Sequence, residues 1–548
     1  MFQRNILIAF FITLTVAGFA QNSQGFFLDD FQPKHAEHPK HEKYTLPVSQ
    51  VTTTVTVNFQ DTIARVSKYL FGNNSNTWMS QMVTQKDLMN NLKLLQPNIL
   101  RYPGGNISNV FFWDRENNDH PNDVPNEILY ADQKPDYKLW YGKNNGEHTL
   151  SVDNYYSMLQ ETKSTGIICI NYAYARYGMS NDPVTTAAHY AANWVRYDKG
   201  RTKYWELGNE NFGAWQPGYL IDQSKNKDGQ PKYISGDLYG KHFKVFADSM
   251  HAAAKEIGSI LYLGAVLEEL PRAESYATTI DKNWNEGFFR TAGNAADFFA
   301  IHCYYTPYNK NSSVDVILNS AKPVSSDMMS YMQQLSKQYN IQPKPIALSE
   351  WNIFAVGSKQ MTSYISGVHA TLVLGELIKN KYGMASRWDL ANAYDNGNDM
   401  GMFSQGDEPD VPKWNPRPAF YYMYYFQKIF GDHMVSAKVS GNDSVVVYAS
   451  SFASGEAGIV AVNKSKRTQT IKININNFKP GKRFYLYNLT GGDDNGNFST
   501  KVFINGKGTE FASGGPAKPE HIKALSASGK EIKFEAAPNS VQFIMVEK

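Results

Sequence analysis

The sequence of 548 residues predicts an α/β fold, a (β/α)8 TIM barrel with a C-terminal antiparallel β-sandwich. Two changes of rhythm along the chain support this prediction. From about residue 61, short apolar stretches alternate with longer amphipathic ones, as in βα units around a parallel sheet. From about residue 425, short strands follow one another with turn residues between them, as in a β-sandwich. The predicted domains are therefore the barrel, 61–424, and the sandwich, 425–548.

Three segments precede the predicted barrel. Residues 1–20 are typical of a signal peptide, because Arg4 is followed by an apolar run and then by small residues at 17–20. Residues 21–45 are predicted to be a loose, solvated polar leader. Residues 46–60 contain VTTTVTVNF, whose alternating β-branched residues predict a strand that is able to join the sandwich.

The N-terminal segment also sets the expected location of the protein. A signal peptide predicts export, either to the periplasm or to the outside of the cell. No later stretch reaches ~18 uninterrupted apolar residues, so no membrane span is expected in the exported protein. Cys169 and Cys303 lie in apolar, strand-like runs, which favours buried thiols over a disulfide framework or metal ligands.

Composition narrows the class of function. The 54 basic and 51 acidic residues give a net charge of +3, which is not the excess of positive charge expected of a nucleic-acid-binding protein. Aromatic residues make up 14% of the chain, which suits either core filling or a cleft in which flat rings stack on sugars. We expect neither a metal nor an organic cofactor. The stretch DDNGN at 493–497 resembles a calcium loop only weakly and is expected to be solvated.

Eight strand candidates alternate with amphipathic stretches, which is the count of a (β/α)8 barrel. They lie at 66–72, 97–105, 166–175, 202–210, 260–266, 297–305, 344–352 and 384–391. A doubly wound sheet is the alternative that the same rhythm allows. Gly104-Gly105 lacks the G-x-G-x-x-G spacing of a dinucleotide site, so the sequence does not support such a cofactor.

In a TIM barrel the active site lies at the C-terminal ends of the strands. The side chains predicted at these ends are Arg101, Asn209, Glu210, His302, Tyr304, Tyr305, Glu350 and Trp388. They come from the second, fourth, sixth, seventh and eighth strands. The predicted site therefore combines two glutamates with one arginine and several aromatic residues.

Glu210 and Glu350 are predicted to face each other across the mouth of the barrel, since they end the fourth and seventh strands. Two opposed carboxyl groups suit glycoside hydrolysis, in which one protonates the leaving oxygen and the other attacks the anomeric carbon or activates water. Arg101 beside Glu350 is expected to hold that carboxylate ionised. Glu210 is expected to be the acid, with a raised pKa. Asn209 is then able to bond a sugar hydroxyl next to the reacting carbon.

The remaining candidates each have two interpretations. Either Tyr304 or Tyr305 is expected to donate a hydrogen bond to Glu350, because alternation along a strand sends only one of them inward. His302 either lines the pocket or is a core histidine, and Trp388 either forms the floor under the sugar or packs in the barrel. Four further indoles are candidates for outer sugar subsites or for simple packing: Trp78, Trp113, Trp140 and Trp215.

Three short motifs carry a resemblance to a known group of enzymes. RYPGGN at 101–106, ELGNEN at 206–211 and SEWN at 349–352 resemble the clan A retaining glycoside hydrolases, and most of all the α-L-arabinofuranosidases of glycoside hydrolase family 51 and their relatives. Ser349 departs from the family pattern, in which an acidic residue is expected just before the second glutamate. Endo-acting relatives in clan A also carry Asn-Glu after the fourth strand, so the motifs do not identify the substrate.

The resemblance implies a role for each matching residue. Glu210 is implied as the acid/base, Glu350 as the nucleophile and Asn209 as the ligand of a sugar hydroxyl. Arg101 and an aromatic residue near Tyr304 are implied around the nucleophile.

The resulting hypothesis is a secreted retaining glycoside hydrolase that cleaves plant or algal polysaccharide by double displacement, with an α-L-arabinofuranosidase preferred. The expected partner is a polysaccharide or an oligosaccharide, with no nucleic acid. One alternative is an endo-acting clan A β-glycanase, such as a xylanase, an endoglucanase or an agarase. Another is a carbohydrate-binding protein without catalysis, against which the presence of both glutamates counts.

Overall fold

The computed structural model describes residues 23–77, 79, 81–116, 119–129, 135–136, 141–143, 150–273, 277–354, 359–395, 399–492 and 499–548. The predicted signal peptide lies outside the described residues. Within them the predicted fold is confirmed, since eight parallel strands close into a barrel and a separate, mainly antiparallel sheet forms a second domain. Every helix in this part of the chain is too short or too polar to cross a membrane.

The barrel strands follow one another around the barrel in chain order, and each pairs in parallel with its neighbours. From first to eighth they are Gly72–Asn74, Ile99–Tyr102, Thr165–Ile170, Tyr204–Leu207, Tyr262–Leu267, Phe298–Tyr304, Ile346–Asn352 and Met384–Arg387. Each overlaps a predicted strand, but the first begins later than expected. Ser67 caps a 3-10 turn over Lys68–Leu70, which takes up residues that the apolar pattern predicted as strand.

The helices pack around the barrel, and several begin with a side-chain cap. The α-helices of the described residues are Lys86–Leu95, Val152–Thr162, Ala173–Tyr177, Pro183–Asp198, Gly236–Glu256, Thr279–Ala292, Val314–Gln338, Tyr364–Lys379 and Pro418–Ile429. Ser235 accepts a hydrogen bond from the backbone N–H of Leu238, and Thr278 forms a capping box with Asp281. Short 3-10 helices lie at Gly25–Leu28, Lys68–Leu70, Met82–Thr84, Asn106–Val110, Lys359–Thr362 and Pro519–His521.

The second domain is one continuous sheet around its own apolar core. In order across the sheet, its strands are His41–Lys43, Ala524–Ser528, Arg483–Thr490, Ser540–Val546, Ala457–Asn463, Val445–Ser451, His433–Ser440, Thr53–Arg65, Gln469–Asn476 and Ile532–Ala536, and Phe503–Ile504 pairs with Arg483–Thr490. Thr53–Arg65 precedes the barrel in the chain, yet it lies inside this sheet because its alternate residues, such as Val55 and Val57, are buried in the core.

Two small two-stranded sheets lie after the second barrel strand. They are Phe111–Glu116 with Tyr141–Lys143, and Ile128–Leu129 with Pro135–Asp136.

The segment predicted as a loose leader is packed against both domains. Phe26 stacks on Tyr262 with 3.7 Å between ring centroids, and the buried Phe27 lies 4.9 Å from Tyr204. Both tyrosines begin barrel strands, so the two phenylalanines close the N-terminal end of the barrel. Further along, His41–Lys43 adds an edge strand to the second domain. The prediction of a loose leader was wrong because it was based on the many charged and histidine residues of this segment. It gave no weight to Phe26 and Phe27, which attach the segment to the barrel.

Candidate active site

Side chains from four barrel strands meet at the C-terminal end of the barrel. They belong to the second, fourth, sixth and seventh strands and to the turn after the fourth. The residues that meet there are Arg101, Glu206, Asn209, Glu210, His302, Tyr304 and Glu350. This is the end at which TIM-barrel enzymes carry their active sites.

The turn after the fourth strand brings Glu210 into the mouth of the barrel. Gly208 has a φ of 81°, and an added Cβ there would lie 2.0 Å from Oδ1 of Asn211. Glu210 itself has a φ of 43°, in the left-handed region that residues other than glycine seldom adopt. Strain of this kind persists only where surrounding contacts hold the residue in place, and it concentrates at functional sites.

Asn109 supplies the contacts that hold this turn. Its Nδ2 donates to the carbonyl of Asn209 at 2.7 Å and to Oε1 of Gln216 at 2.9 Å. Its Oδ1 accepts from the backbone N–H of Asn209 at 3.2 Å and from Nδ2 of Asn211 at 2.9 Å. One buried amide therefore fixes both sides of the strained turn.

Arg101 is fully buried and lies between two carboxylates. Its Nε donates to Oε2 of Glu206 at 2.8 Å, and its Nη1 donates to Oε2 of Glu350 at 3.1 Å. Nη1 also reaches Oδ1 of Asn74 at 3.0 Å, and Nη2 reaches Oδ1 of Asn209 at 2.9 Å. Four acceptors from different elements thus fix the plane of the guanidinium group.

Glu350 is buried at the centre of the site. Its Oε1 accepts a hydrogen bond from the hydroxyl of Tyr304, and its Oε2 accepts from Arg101. Burial raises the pKa of Glu350, and the charge of Glu210 adds to that effect. His302, Arg101 and the Tyr304 hydroxyl act in the opposite direction. The net pKa of Glu350 lies above its ordinary value.

Glu210 accepts hydrogen bonds on both carboxylate oxygens. Nδ1 of His302 lies 2.9 Å from Oε1, and the indole nitrogen of Trp215 donates to Oε2 at 2.8 Å. Burial on its own raises the pKa of Glu210, but the bonds from His302 and Trp215 and the charge of Arg101 lower it to about 2. The lowered pKa of Glu210 differs from the expectation of a raised one, because His302 reaches its carboxylate from another barrel strand and the fold brings the Trp215 indole against it.

His302 lies between the two glutamates and faces the site. Its Nδ1 is 2.9 Å from Glu210 and 3.6 Å from Oε2 of Glu350. Burial lowers the pKa of His302, whereas the charges of the two glutamates raise it, and the net pKa lies above 6.5. The ring is thus placed to hold a proton within reach of either carboxylate.

One ligand atom from each of Glu210, His302 and Glu350 lies within 4.8 Å of the other two. Among the described residues this group has the donor types that a metal ion would need. The guanidinium group of Arg101, 3.1 Å from Glu350, already places a positive charge against the group. Such a neighbour disfavours a resident metal ion. The weak calcium-loop candidate at 493–497 lies outside the described residues.

The other predicted site residues divide into two groups. Trp388 is partly exposed at the mouth and lies over Gly104 and Gly105, where an added Cβ would come within 3.2 and 2.7 Å of its ring. The Tyr305 hydroxyl lies 2.8 Å from Oγ of Ser325 on a surrounding helix, so this tyrosine points away from the site. The alternation along the strand thus sends Tyr304 inward and Tyr305 outward.

Among the four indoles considered for outer subsites, Trp215 lies beside the carboxylates and is 49% exposed. Trp113 stacks on Trp194 at 6.0 Å between ring centroids, away from them. Trp78 and Trp140 lie outside the described residues. Cys169 and Cys303 are free and buried, as predicted.

Three contributors to the site were missed from the sequence. Glu206 sits inside a strand that was interpreted as apolar, although it is part of the quoted ELGNEN motif. Asn74 is the last residue of the first barrel strand, whose predicted end at residue 72 falls two residues too early. Asn109 lies in the short 3-10 helix Asn106–Val110, and nothing in the sequence signals its contact with the turn around Asn209.

Comparison with known proteins supports the class of the protein. Residues 91–317 match the model of the alpha-L-arabinofuranosidase 1 domain. No curated protein matches the chain in sequence. The similarity to solved structures is broader: an alpha-L-arabinofuranosidase from Thermotoga maritima in complex with arabinose shares 18% identity and a TM-score of 0.61, over 90% of this chain and 100% of that one.

Two further solved structures have a similar fold at lower sequence identity. The family 51 arabinofuranosidase from Xanthomonas axonopodis pv. citri is 14% identical, with a TM-score of 0.61 over 91% of this chain and 100% of that one. A family 44 xyloglucanase from Paenibacillus polymyxa is 12% identical, with a TM-score of 0.57 over the same shares.

The fold and the matched domain together define the class as glycoside hydrolase. The resemblance predicted from the three motifs, to clan A and most of all to family 51, is confirmed.

Proposed function

We propose that the chain is an exported, retaining glycoside hydrolase that acts on plant or algal polysaccharide, with α-L-arabinofuranosides as its preferred substrates. The distance between the carboxyl groups carries the proposal. Oxygens of Glu210 and Glu350 lie within 4.8 Å of each other. Retaining enzymes place these groups roughly 5–5.5 Å apart, whereas inverting enzymes need about 6.5–9.5 Å to admit a water molecule.

In the first step Glu350 is the nucleophile. Its carboxylate attacks the anomeric carbon, the glycosidic bond breaks, and the leaving oxygen takes a proton from Glu210. The product of this step is a glycosyl ester on Glu350. Tyr304 and Arg101 hold the attacking carboxylate in one orientation, which lowers the entropic cost of attack.

In the second step Glu210 is the base. It removes a proton from a water molecule, which attacks the anomeric carbon and releases Glu350. Both steps invert the anomeric configuration, so the product retains the configuration of the substrate.

His302 supplies the proton that Glu210 needs as the acid. Glu210 needs a proton when the leaving oxygen departs, yet its neighbours lower its pKa to about 2. The pKa of His302 is raised, and its Nδ1 lies 2.9 Å from Glu210. The imidazolium therefore stores the proton and passes it through Glu210 to the leaving oxygen.

Three residues around the carboxylates have atoms or ring faces that are able to contact the substrate. Asn209 uses Oδ1 to bind Arg101, which leaves its amide nitrogen to donate to a sugar hydroxyl. Trp388 offers a partly exposed ring as the floor under the reacting sugar. Trp215 lies on the acid side, so its exposed ring suits the leaving-group sugar.

An endo-acting β-glycanase is the second candidate, and a line of aromatic rings favours it. Tyr304, which binds Glu350, lies 4.9 Å from Phe354 between ring centroids, and Phe354 lies 5.2 Å from the 58% exposed Tyr308. Together with Trp215, these rings suit a longer polymer on both sides of the carboxylates. The similarity to a xyloglucanase is compatible with such a substrate.

A hydrolysis screen separates these candidates. We would test wild type and Glu350→Gln on aryl arabinofuranosides, arabinan, arabinoxylan, xylan, β-glucan and agarose. Release of arabinose by wild type alone supports the arabinofuranosidase. Release of oligosaccharides from a backbone polymer supports the endo-acting enzyme. Binding without hydrolysis on every substrate would leave a carbohydrate-binding protein and contradict the proposal.

Export rests on residues 1–20 and is tested separately. Expression of the full chain in a bacterial host should yield a mature protein that begins near Gln21, as shown by intact-mass spectrometry of the fraction outside the cytoplasm. Recovery of the uncleaved chain from the cytoplasm alone would contradict export.

A further inference from the structure

Glu206 is a buried carboxylate that takes no part in the proposed chemical steps. It lies on the fourth barrel strand and is 0% exposed. Its Oε2 accepts from Nε of Arg101 at 2.8 Å and lies 3.4 Å from Sγ of Cys169. Its Oε1 is buried without a hydrogen-bond partner among the described residues. A charge in such a place needs a compensating partner, and Arg101 is that partner.

The geometry makes Arg101 a shared cation. The same guanidinium group contacts Glu206 through Nε and Glu350 through Nη1. One positive charge thus serves two carboxylates, so neither is fully neutralised. Without Glu206, the whole charge of Arg101 would act on Glu350.

We propose that Glu206 is a positioning residue for the reaction: it anchors Arg101 and withdraws part of its charge from Glu350, so that Arg101 orients the nucleophile without over-stabilising it. This inference rests on the proposed function of Glu350. A carboxylate that is held too firmly as an anion is a weaker nucleophile, and Glu206 prevents that state.

The charged and titratable groups around the two carboxylates define the expected response. Glu350 faces Arg101 from the second strand, Tyr304 and His302 from the sixth, Glu210 from the turn after the fourth, and Asp389 after the eighth. Glu206 faces Arg101, Cys169 and Tyr239. Removal of the Glu206 charge leaves the charge of Arg101 less compensated at Glu350. The pKa of Glu350 should then fall.

A graded series of variants tests the proposal. Glu206→Gln keeps the size and an acceptor for Nε but removes the charge. Glu206→Asp keeps the charge but withdraws it from Arg101 by one methylene. The acidic limb of the kcat/KM profile should move to lower pH by about one unit in Glu206→Gln and by a few tenths in Glu206→Asp. If Glu206→Gln does not fold, the proposal is tested by the shift of the acidic limb in Glu206→Asp.

Glu408→Gln is the matched control. Glu408 pairs with the buried Arg417 at 3.0 Å, outside the site. This variant also breaks a buried ion pair, but it should leave the acidic limb in place. An unmoved limb in the folded Glu206 variants, or an equal shift in Glu408→Gln, would overturn the proposal, because loss of stability alone would then explain the data.

A measurement without substrate separates this inference from the proposed function. Carboxyl carbon NMR on protein labelled with ¹³C-glutamate gives the titration of Glu350, whose signal is assigned by its loss in Glu350→Gln. The midpoint should fall in Glu206→Gln even if no glycoside is hydrolysed. Lack of turnover in wild type would reject the proposed function, whereas an unchanged midpoint would reject the role of Glu206.

Discussion

The two ends of the barrel use the same eight strands for opposite purposes. At the N-terminal end, Phe26 stacks on Tyr262 and Phe27 packs against Tyr204, so both rings cover the starts of the strands. At the C-terminal end, Arg101 and Glu350 are buried with their charges, and the partly buried Glu210 lies on a strained turn. The first arrangement stabilises the fold, whereas the second costs free energy and creates reactivity. Substitutions at the two ends should therefore separate stability from catalysis.

The largest effect is expected from loss of Glu350, the proposed nucleophile. Glu350→Gln should lower kcat by about 10⁴-fold or more, because no glycosyl ester can form. Its thermal midpoint should stay the same or rise, since one member of a crowded buried charge cluster is removed. Steady-state kinetics and calorimetry on the same sample check both statements. Turnover close to wild type would remove Glu350 from the mechanism.

Loss of the acid should cost less, and the cost should depend on the leaving group. Glu210→Gln is expected to lower kcat/KM by about 10²–10⁴-fold on natural glycosides, where the leaving oxygen needs a proton. With an activated aryl glycoside the first step needs little assistance, so its loss should be smaller. A comparison of both substrate types measures this difference. Equal losses on both would contradict the acid role.

The opposite end of the barrel should show the reverse behaviour. Phe27→Ala removes a buried ring and should lower the free energy of unfolding by about 3–5 kcal/mol. The activity of each folded molecule should change by no more than about twofold, because the site lies at the far end of the strands. Phe26→Ala, a less buried neighbour, is the control with a smaller expected loss. A large fall in kcat with little loss of stability would break the separation between the two ends.

The smallest effect is a change in pH profile. In the proposed mechanism Glu350 must be ionised to attack, and its pKa is raised, so activity should be lost as the pH falls through a value above 4.5. The pair of His302 and Glu210 must hold a proton, so activity should be lost as the pH rises through a value above 6.5. His302→Asn removes the proton store and should move the alkaline limb down by at least about one pH unit. An unmoved alkaline limb would assign the proton to another group.

The sequence predicted the C-terminal end of the barrel better than the N-terminal end. Glu210 and Glu350 stood out because each is a polar residue near the C-terminal end of an apolar strand. Phe26 and Phe27 did not, since they precede a long polar stretch and only tertiary contact shows that they are buried.

Within the site, the sequence could not show which residues share a charge. Glu206 lies inside a strand, and its neighbours in the sequence do not indicate that it pairs with a cation. Its partner Arg101 belongs to another strand. The pKa of Glu210 depends on the ring of His302 and the indole of Trp215, whose orientations arise only in the folded chain. The choice between Tyr304 and Tyr305 likewise needed the register of the sixth strand.

The most direct test is the anomeric configuration of the first product. Proton NMR during hydrolysis of an aryl arabinofuranoside, or of whichever glycoside the screen identifies, records the product before it mutarotates. The proposed mechanism, based on Glu210 and Glu350 oxygens within 4.8 Å of each other, predicts a product with the configuration of the substrate. A product that first appears with inverted configuration would contradict the covalent intermediate on Glu350.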